Sequence, residues 1–369
     1  MQLVQTTRDA LLKPLSTVAG IVERRHTLPI LANILMRKEG SKVSFIATDL
    51  EVQITTHADF GVGSDNESTT VAARKLLDIL KALPDTGEVK MSLASGKMTV
   101  QSAKSRFALQ TLAASEYPTV AQPEQWSVSL TLPQRTLRHL FNMVHFAMAQ
   151  QDIRYYLNGM LLVFEPGFVR SVATDGHRLA HCATKAEGIA EKHEVIVPRK
   201  TVLEMQRLLE DSDEPVAVDV APGQIRFRFG DVELVSKLVE GKFPDFTRVI
   251  PTSYTRHFDV SREALQGSLQ RAAILTTDKF KGVRLQLAQN VMKISSTNAE
   301  QEEAQEELDI DYTFEALDVG FNVGYLLDVL GNLKTESIRW SVMPDANASA
   351  LITLPDDENF KYVVMPMRI

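Results

Sequence analysis

Apolar residues return every three or four positions in six stretches of this chain, the spacing of helices with one buried face. Leu76, Leu77, Leu80 and Leu83 make one stripe, and residues 322–333 carry another. Leu137, Leu140, Phe141, Val144 and Met148 follow Pro133, and Val202, Met205 and Leu209 follow Pro198. Proline suits the first turn of a helix, where its missing N–H leaves no bond unmade. Ser261 is placed to cap a helix carrying Leu265, Leu269 and Ala272. A sixth helix, around residues 8–22, is interrupted by Pro14, which predicts a kink or a late start. Between the helices, VSFIATD, VKMSL, KMTVQS and QIRFRF alternate apolar with polar residues, as half-buried antiparallel strands do.

The same order of elements recurs. ILANILMRKEGSKVSFIATDLEVQI (30–54) parallels YLNGMLLVFEPGFVRSVATDGHRLA (156–180), with Asn33 matching Asn158 and Asp49 matching Asp175. A weaker third copy, 282–304, has Thr297-Asn298 where the others have Thr-Asp. The helical blocks 71–83, 197–209 and 321–333 repeat as well, pairing Arg74-Lys75 with Arg199-Lys200 and Leu77-Asp78 with Leu327-Asp328. Each block leads into strands ending near a proline: Tyr117-Pro118, Phe243-Pro244 and Met365-Pro366. Three units of roughly 120 residues follow, an ordinary domain size. Each holds two halves, one helix followed by several strands, which makes the fold class α+β. The boundaries fall in the proline-bearing stretches QPEQ and IPTSY, giving domains 1–125, 126–253 and 254–369.

Composition narrows the class. Of 369 residues, 44% are hydrophobic and 24% charged, as in a soluble globular protein. No apolar run approaches membrane-spanning length and no secretory signal is visible, so a cytoplasmic, membrane-free location is expected. One cysteine, Cys182, excludes an internal disulfide framework. No Cys/His cluster has metal-ligand spacing, and no cofactor motif is present. The net charge of −7 is concentrated: residues 300–311 carry seven acids and no Lys or Arg, so the rest of the chain is balanced. Its basic residues are free to gather on one surface. The composition of 62–70, GVGSDNEST, predicts a flexible loop.

SVATDGHRLAHC (171–182) carries the one cluster that invites a catalytic reading. Asp175 and His177 could serve as base and acid, with Cys182 as a thiol. The Thr-Asp pair recurs in the other units, however, and the His does not. A strand-end Asp that recurs is a turn residue bonding its own backbone. A hydrolase using Asp175 and His177 is the weakest of three readings, and no catalytic residue is assigned. A repeat scaffold that only binds other proteins is the second.

The first reading comes from the motifs QQDIRYYLNGML, ATDGHRLA, VPRK, KFPDF and YVVMPMRI on a frame of three two-part units. Together they resemble the bacterial DNA polymerase III beta subunit family, the sliding clamps, over essentially the whole chain. The resemblance implies three consecutive clamp-fold domains and a head-to-tail homodimer closing a ring. Helices would line the hole, double-stranded DNA would be encircled without regard to sequence, and the clamp itself would not be an enzyme. Implied partners are the DNA polymerase III alpha subunit, the clamp loader delta subunit, and other polymerases and repair proteins carrying clamp-binding motifs.

Residue by residue, the resemblance implies DNA contacts at Arg25, Arg74, Gln151, Tyr155 and Tyr156, to which the helical block adds Arg199 and Lys200. It implies a peptide-binding cleft formed by Arg154, Leu157, Thr174, Gly176, His177, Arg178, Leu179, Pro244, Arg248, Val249, Asn322, Tyr325, Ser349, Val363, Val364, Met365, Pro366, Met367 and Arg368. There the apolar residues would wall the cleft, and Arg154, His177 and Arg178 would orient a peptide by hydrogen bonds. Asn347, a valine in the family, would make one wall more polar. The dimer contact is expected between AKSRFAL (103–109), with Lys104, Arg106, Phe107 and Leu109, and a surface of Ile274, Leu275, Glu300, Glu302, Glu303 and Glu306. Strand alternation would place its charge at the rim and its apolar residues at the centre.

Overall fold

A computed structural model describes residues 1–23, 28–85, 87–277 and 280–369. The six helices predicted from periodicity are all present among them: α1 (Arg8–Ala19), α2 (Ala73–Ala82), α3 (Gln134–Asn142), α4 (Arg199–Leu208), α5 (Arg262–Ala272) and α6 (Val323–Asn332). Ser261 caps α5 by accepting from the Ala264 N–H at 3.3 Å, and Asn322 caps α6 by accepting from the Gly324 N–H at 2.9 Å. On α2, Ala73, Leu76 and Leu80 are buried while Arg74 and Lys75 are exposed.

Two expectations are corrected. Of the two effects expected of Pro14 the late start is not found: α1 starts at Arg8 behind the cap Thr7 and runs through the proline. Leu11, Leu15 and Val18 are buried on the same helix, and that burial outweighs the one backbone bond the proline forgoes. Residues 62–70 are only in part a loop. Asn66–Ala72 is a strand paired along its length with Asn33–Glu39, because Thr69, Thr70 and Val71 have buried positions to fill.

The described chain divides into two compact units. The first comprises residues 1–135 and 207–238. It is built on one antiparallel sheet of 12 strands, from Gln2–Thr7 at one edge to Val128–Pro133 at the other. The sheet becomes continuous where Val52–Asp59 pairs with Val232–Lys237. The second unit comprises residues 136–206 and 239–369. It has an eight-stranded sheet, made continuous by the pairing of Arg178–Ala186 with Asp357–Val364, and a four-stranded one ending at the edge strand Glu303–Asp309.

The recurring Thr-Asp is a turn, for the reason its recurrence suggested. Asp49 Oδ1 accepts from the N–H groups of Glu51 (2.9 Å) and Val52 (2.7 Å). Asp175 Oδ1 does the same for His177 (2.9 Å) and Arg178 (3.1 Å). The preceding threonines repeat too: Thr48 Oγ1 donates to the Val52 carbonyl and Thr174 Oγ1 to the Arg178 carbonyl. Both turns need a left-handed residue next, Leu50 at φ 78° in one and Gly176 at φ 91° in the other. In the third copy Asn298 Oδ1 accepts from Glu302 N at 2.9 Å across a wider turn.

Candidate peptide-binding cleft

The eight-stranded sheet sets out its side chains in rows. Leu179 stands opposite Val363 in the ladder, and both point to one face because strand side chains alternate. On that face Leu161, Val163, Val172, Leu179, Ile196, Leu351 and Val363 form an apolar cluster. Residues 243–254 cross over it. Phe243 is buried there, and Phe246, Ile250 and Tyr254 pack against the cluster. A short helix, Phe246–Arg248, is started by Asp245, which accepts from Thr247 N and Thr247 Oγ1.

Beside that crossing segment lies a cavity of about 260 Å³. Leu179, Val363 and Leu157 are its apolar lining. The turn Thr174–Leu179 makes one wall, Pro244 and Val249 another, and Met365, half exposed, stands at the rim. Eleven residues implied by the resemblance line it: Arg154, Leu157, Thr174, Gly176, His177, Arg178, Leu179, Pro244, Val249, Val363 and Met365. A twelfth, Tyr156, was expected on DNA.

Both arginines are engaged by neighbouring groups of the chain. Arg178 is 9% exposed. Its Nε donates to Asp175 Oδ2 (3.1 Å), Nη1 to Asp328 Oδ2 (2.6 Å) and Nη2 to the Phe146 carbonyl (2.7 Å). Its guanidinium carbon lies 4.3 Å from the centre of the Tyr325 ring, a cation–π distance. This side chain fixes the turn from below. Arg154 is held by Asp152 through Nε (3.0 Å) and Nη2 (2.9 Å), and it lowers that carboxyl to about 2. Its guanidinium also lies so close to Gly176 that a Cβ there would sit 3.1 Å from either terminal nitrogen.

His177 is exposed, and its backbone does the holding: its carbonyl accepts from Met365 N at 2.9 Å. The chain then runs on to Met367, whose N–H donates to the Gly320 carbonyl at 2.9 Å. The approach is close enough that a Cβ on Gly320 would fall 2.5 Å from the Met367 carbonyl and the Ile369 side chain. The rim is therefore pinned on both sides of Pro366.

The other implied residues lie outside the cavity lining. Arg248 pairs with Asp245 (3.0 Å), Asn322 caps α6, and the Ser349 carbonyl accepts from the Tyr254 hydroxyl (2.6 Å). Val364 is fully buried, and Met367 and Arg368 are exposed. Asn347 is bonded within its own turn to Asp345 and contributes no wall. Sequence reasoning missed Asp152, Phe246 and Asp328. Asp152 stands two residues from Arg154 and was legible; Asp328 lies 150 residues from Arg178 and was not.

Asp175, His177 and Cys182 do not assemble as a catalytic group. Both Asp175 oxygens are engaged, by the turn N–H groups and by Arg178. Burial pushes the Cys182 thiol up to about 12, so it carries no thiolate at neutral pH. Among the described residues no three His, Cys, Asp or Glu side chains group to hold a metal, and no helix is long and apolar enough to cross a membrane.

The residues expected on DNA are partly placed. Arg25 lies outside the described residues. Arg74 and Gln151 are exposed, the latter at φ 57°, and Tyr155 is 57% exposed. Arg199 is half-buried, with Nη1 3.4 Å from the Met148 carbonyl, and Lys200 is half-buried. Of the residues expected at a chain–chain contact, Lys104 is exposed in the turn before the strand Ser105–Ala113, and on that strand Arg106 and Phe107 are exposed and Leu109 half-exposed. Only residues 111–113 of that strand pair with Asn66–Ala72, so 105–110 keep an open edge. Ile274 is 76% exposed. Glu306 is already paired to Arg271 Nε at 2.9 Å, and Glu302 to Asn298.

Three family models match the chain end to end: the N-terminal domain of the DNA polymerase III beta subunit over residues 1–121, the central domain over 131–245 and the C-terminal domain over 247–368. The chain is 46% identical to the beta sliding clamp of Pseudomonas aeruginosa over 363 residues, 98% of each chain. It is 43% identical to that of Escherichia coli K12 over 364 residues, again 98% of each. Among solved structures it is similar to the Pseudomonas aeruginosa sliding clamp bound to griselimycin, with a TM-score of 0.95, 45% identity and full coverage of both chains.

Proposed function

The chain belongs to the DNA polymerase III beta subunit family, the bacterial sliding clamps, and from that premise we propose how it acts as a processivity factor. Two copies join head to tail, each contributing three clamp domains bounded near residues 125 and 253. The ring encircles duplex DNA in the cytoplasm. The reading is carried by one observation: an apolar cavity of about 260 Å³ with a pinned methionine at its rim, in a chain of this family. It takes short apolar motifs of the polymerase alpha subunit, the loader delta subunit and repair proteins. Leu179, Val249 and Val363 supply the contact area, and Met365 adapts to each partner. Tyr156 belongs with the peptide and not with DNA.

The open edge at 105–110 pairs with Glu303–Asp309 of a second copy, where the four-stranded sheet also has a free edge. Phe107 and Leu109 meet Ile274 and Leu275, while Lys104 and Arg106 face Glu300, Glu302 and Glu303 at the rim. Glu306 stays with Arg271 and shapes that edge. DNA is met by Arg25, Arg74, Gln151, Tyr155, Arg199 and Lys200, which touch phosphates and read no bases. The chain catalyses nothing; the Asp175 carboxylate is engaged by the turn N–H groups and by Arg178.

Two measurements test this. Deleting residues 365–369 leaves a folded dimer that has lost affinity for a polymerase motif peptide by tenfold or more, about 1.4 kcal/mol; retained affinity excludes the cleft. Arg74→Ala with Gln151→Ala weakens binding to primed circular DNA at low salt while the dimer stays intact. Loaded wild-type protein stays on the circle and leaves it when the DNA is linearised; equal retention on both forms refutes encirclement.

A further inference from the structure

A second cavity, of about 330 Å³, lies on the same sheet face as the cleft. His181 follows Leu179 by two residues, and Lys361 precedes Val363 by two, so both pairs share one face. His181 stands opposite Lys361 in the ladder, as Leu179 stands opposite Val363. The two rows are therefore about 7 Å apart. The segment that walls the cleft with Val249 walls this cavity with Phe246 and Ile250.

Its chemistry differs from the cleft's. Val163, Phe246 and Ile250 give it apolar walls, and Phe246 lies 5.8 Å from the His181 ring, tilted by 30°. His181 is 4% exposed, and its Nδ1 has no hydrogen-bond partner. A buried polar atom left open costs free energy, and a ligand atom that bonds it recovers that cost. Burial, with Arg170 and Lys361 alongside, lowers the imidazole pKa to about 4, so the ring is neutral at physiological pH. Charge enters from the rim. Arg170 is taken by Glu165 and Lys192 by Glu194, whereas Lys361 forms no ion pair among the described residues. An apolar pocket with one uncommitted ammonium at its rim fits a carboxylate on a small apolar body.

We propose that this cavity is a second subsite of the peptide-binding face, taking an acidic side chain about two residues along from the group anchored in the cleft. The proposal rests on the peptide-binding reading, and its test has one arm that does not. In the first arm free phenylacetate is titrated into the intact protein and followed by NMR. Saturable shifts at Phe246 and His181, absent at Met365 and lost in Lys361→Met, support the site; no shift at millimolar ligand overturns it. In the second arm a motif peptide is compared with versions extended by Gly-Glu or Gly-Gln at either end. One Glu extension binds about tenfold tighter than its Gln counterpart, as a charge-assisted contact requires, and Lys361→Met removes the gain without affecting the parent peptide. Equal affinity of Glu and Gln extensions at both ends overturns the subsite. Failure of the parent peptide to bind, with phenylacetate still seated at Phe246, sinks the cleft reading and leaves a carboxylate site.

Discussion

Replacing Arg178 by alanine is expected to destabilise the second unit by about 3 kcal/mol, the cost of removing one partner from a buried charge cluster. The arginine satisfies Asp175, Asp328 and the Phe146 carbonyl at once and lies against Tyr325. Asp328 is half exposed and can turn to water, but the Asp175 carboxylate is only 15% exposed and would lose its hydrogen-bonded Arg178 partner. The loss appears as a lower denaturant midpoint. It reaches function because Asp175 also holds the His177 and Arg178 N–H groups, so peptide affinity falls with stability. Arg178→Lys recovers the charge without the fork or the ring contact and so restores stability only in part. An alanine variant within about 0.5 kcal/mol of the wild type, the range of ordinary surface changes, would show that the cluster holds nothing in place.

Ile274→Ala combined with Leu275→Ala is expected to turn the dimer into folded monomers. Ile274 is 76% exposed in the single chain, a large apolar side chain open to a partner. Centrally placed apolar anchors carry most of an interface's free energy, so losing both raises the dissociation constant by about a hundredfold or more. Reversing Lys104 and Arg106 to Glu slows assembly in a salt-sensitive way with a smaller equilibrium effect, since rim pairs are worth about 0–1 kcal/mol each. Sedimentation showing intact dimers of the double alanine variant at sub-micromolar concentration would defeat this model of the contact.

What was legible in the sequence depended on how far each interaction reaches along the chain. The helices were read from periodicity, and the Thr-Asp turns from recurrence, because both are set within a few residues. A late start at Pro14 was a local expectation, while the burial of Leu11, Leu15 and Val18 that carries the helix through it is tertiary. The strand Asn66–Ala72 was hidden by a turn-like composition, since what makes it a strand is its pairing with Asn33–Glu39. The cleft residues came from resemblance. What that could not convey was division of labour: Arg178 is a strut, His177 contributes a carbonyl, and Tyr156 is a wall.

The burial of Cys182 has a practical side. The chain has one cysteine, and it is fully enclosed, with its thiol pushed up to about 12. Maleimide at neutral pH should leave the native protein unmodified by mass spectrometry, because the thiolate is the reacting form. The wild-type chain is then already a silent background for site-directed probes. A cysteine placed at the rim positions Lys104 in one preparation and Glu300 in another needs no prior removal of native thiols. A fluorophore on either would report separation of the two copies through its own signal alone.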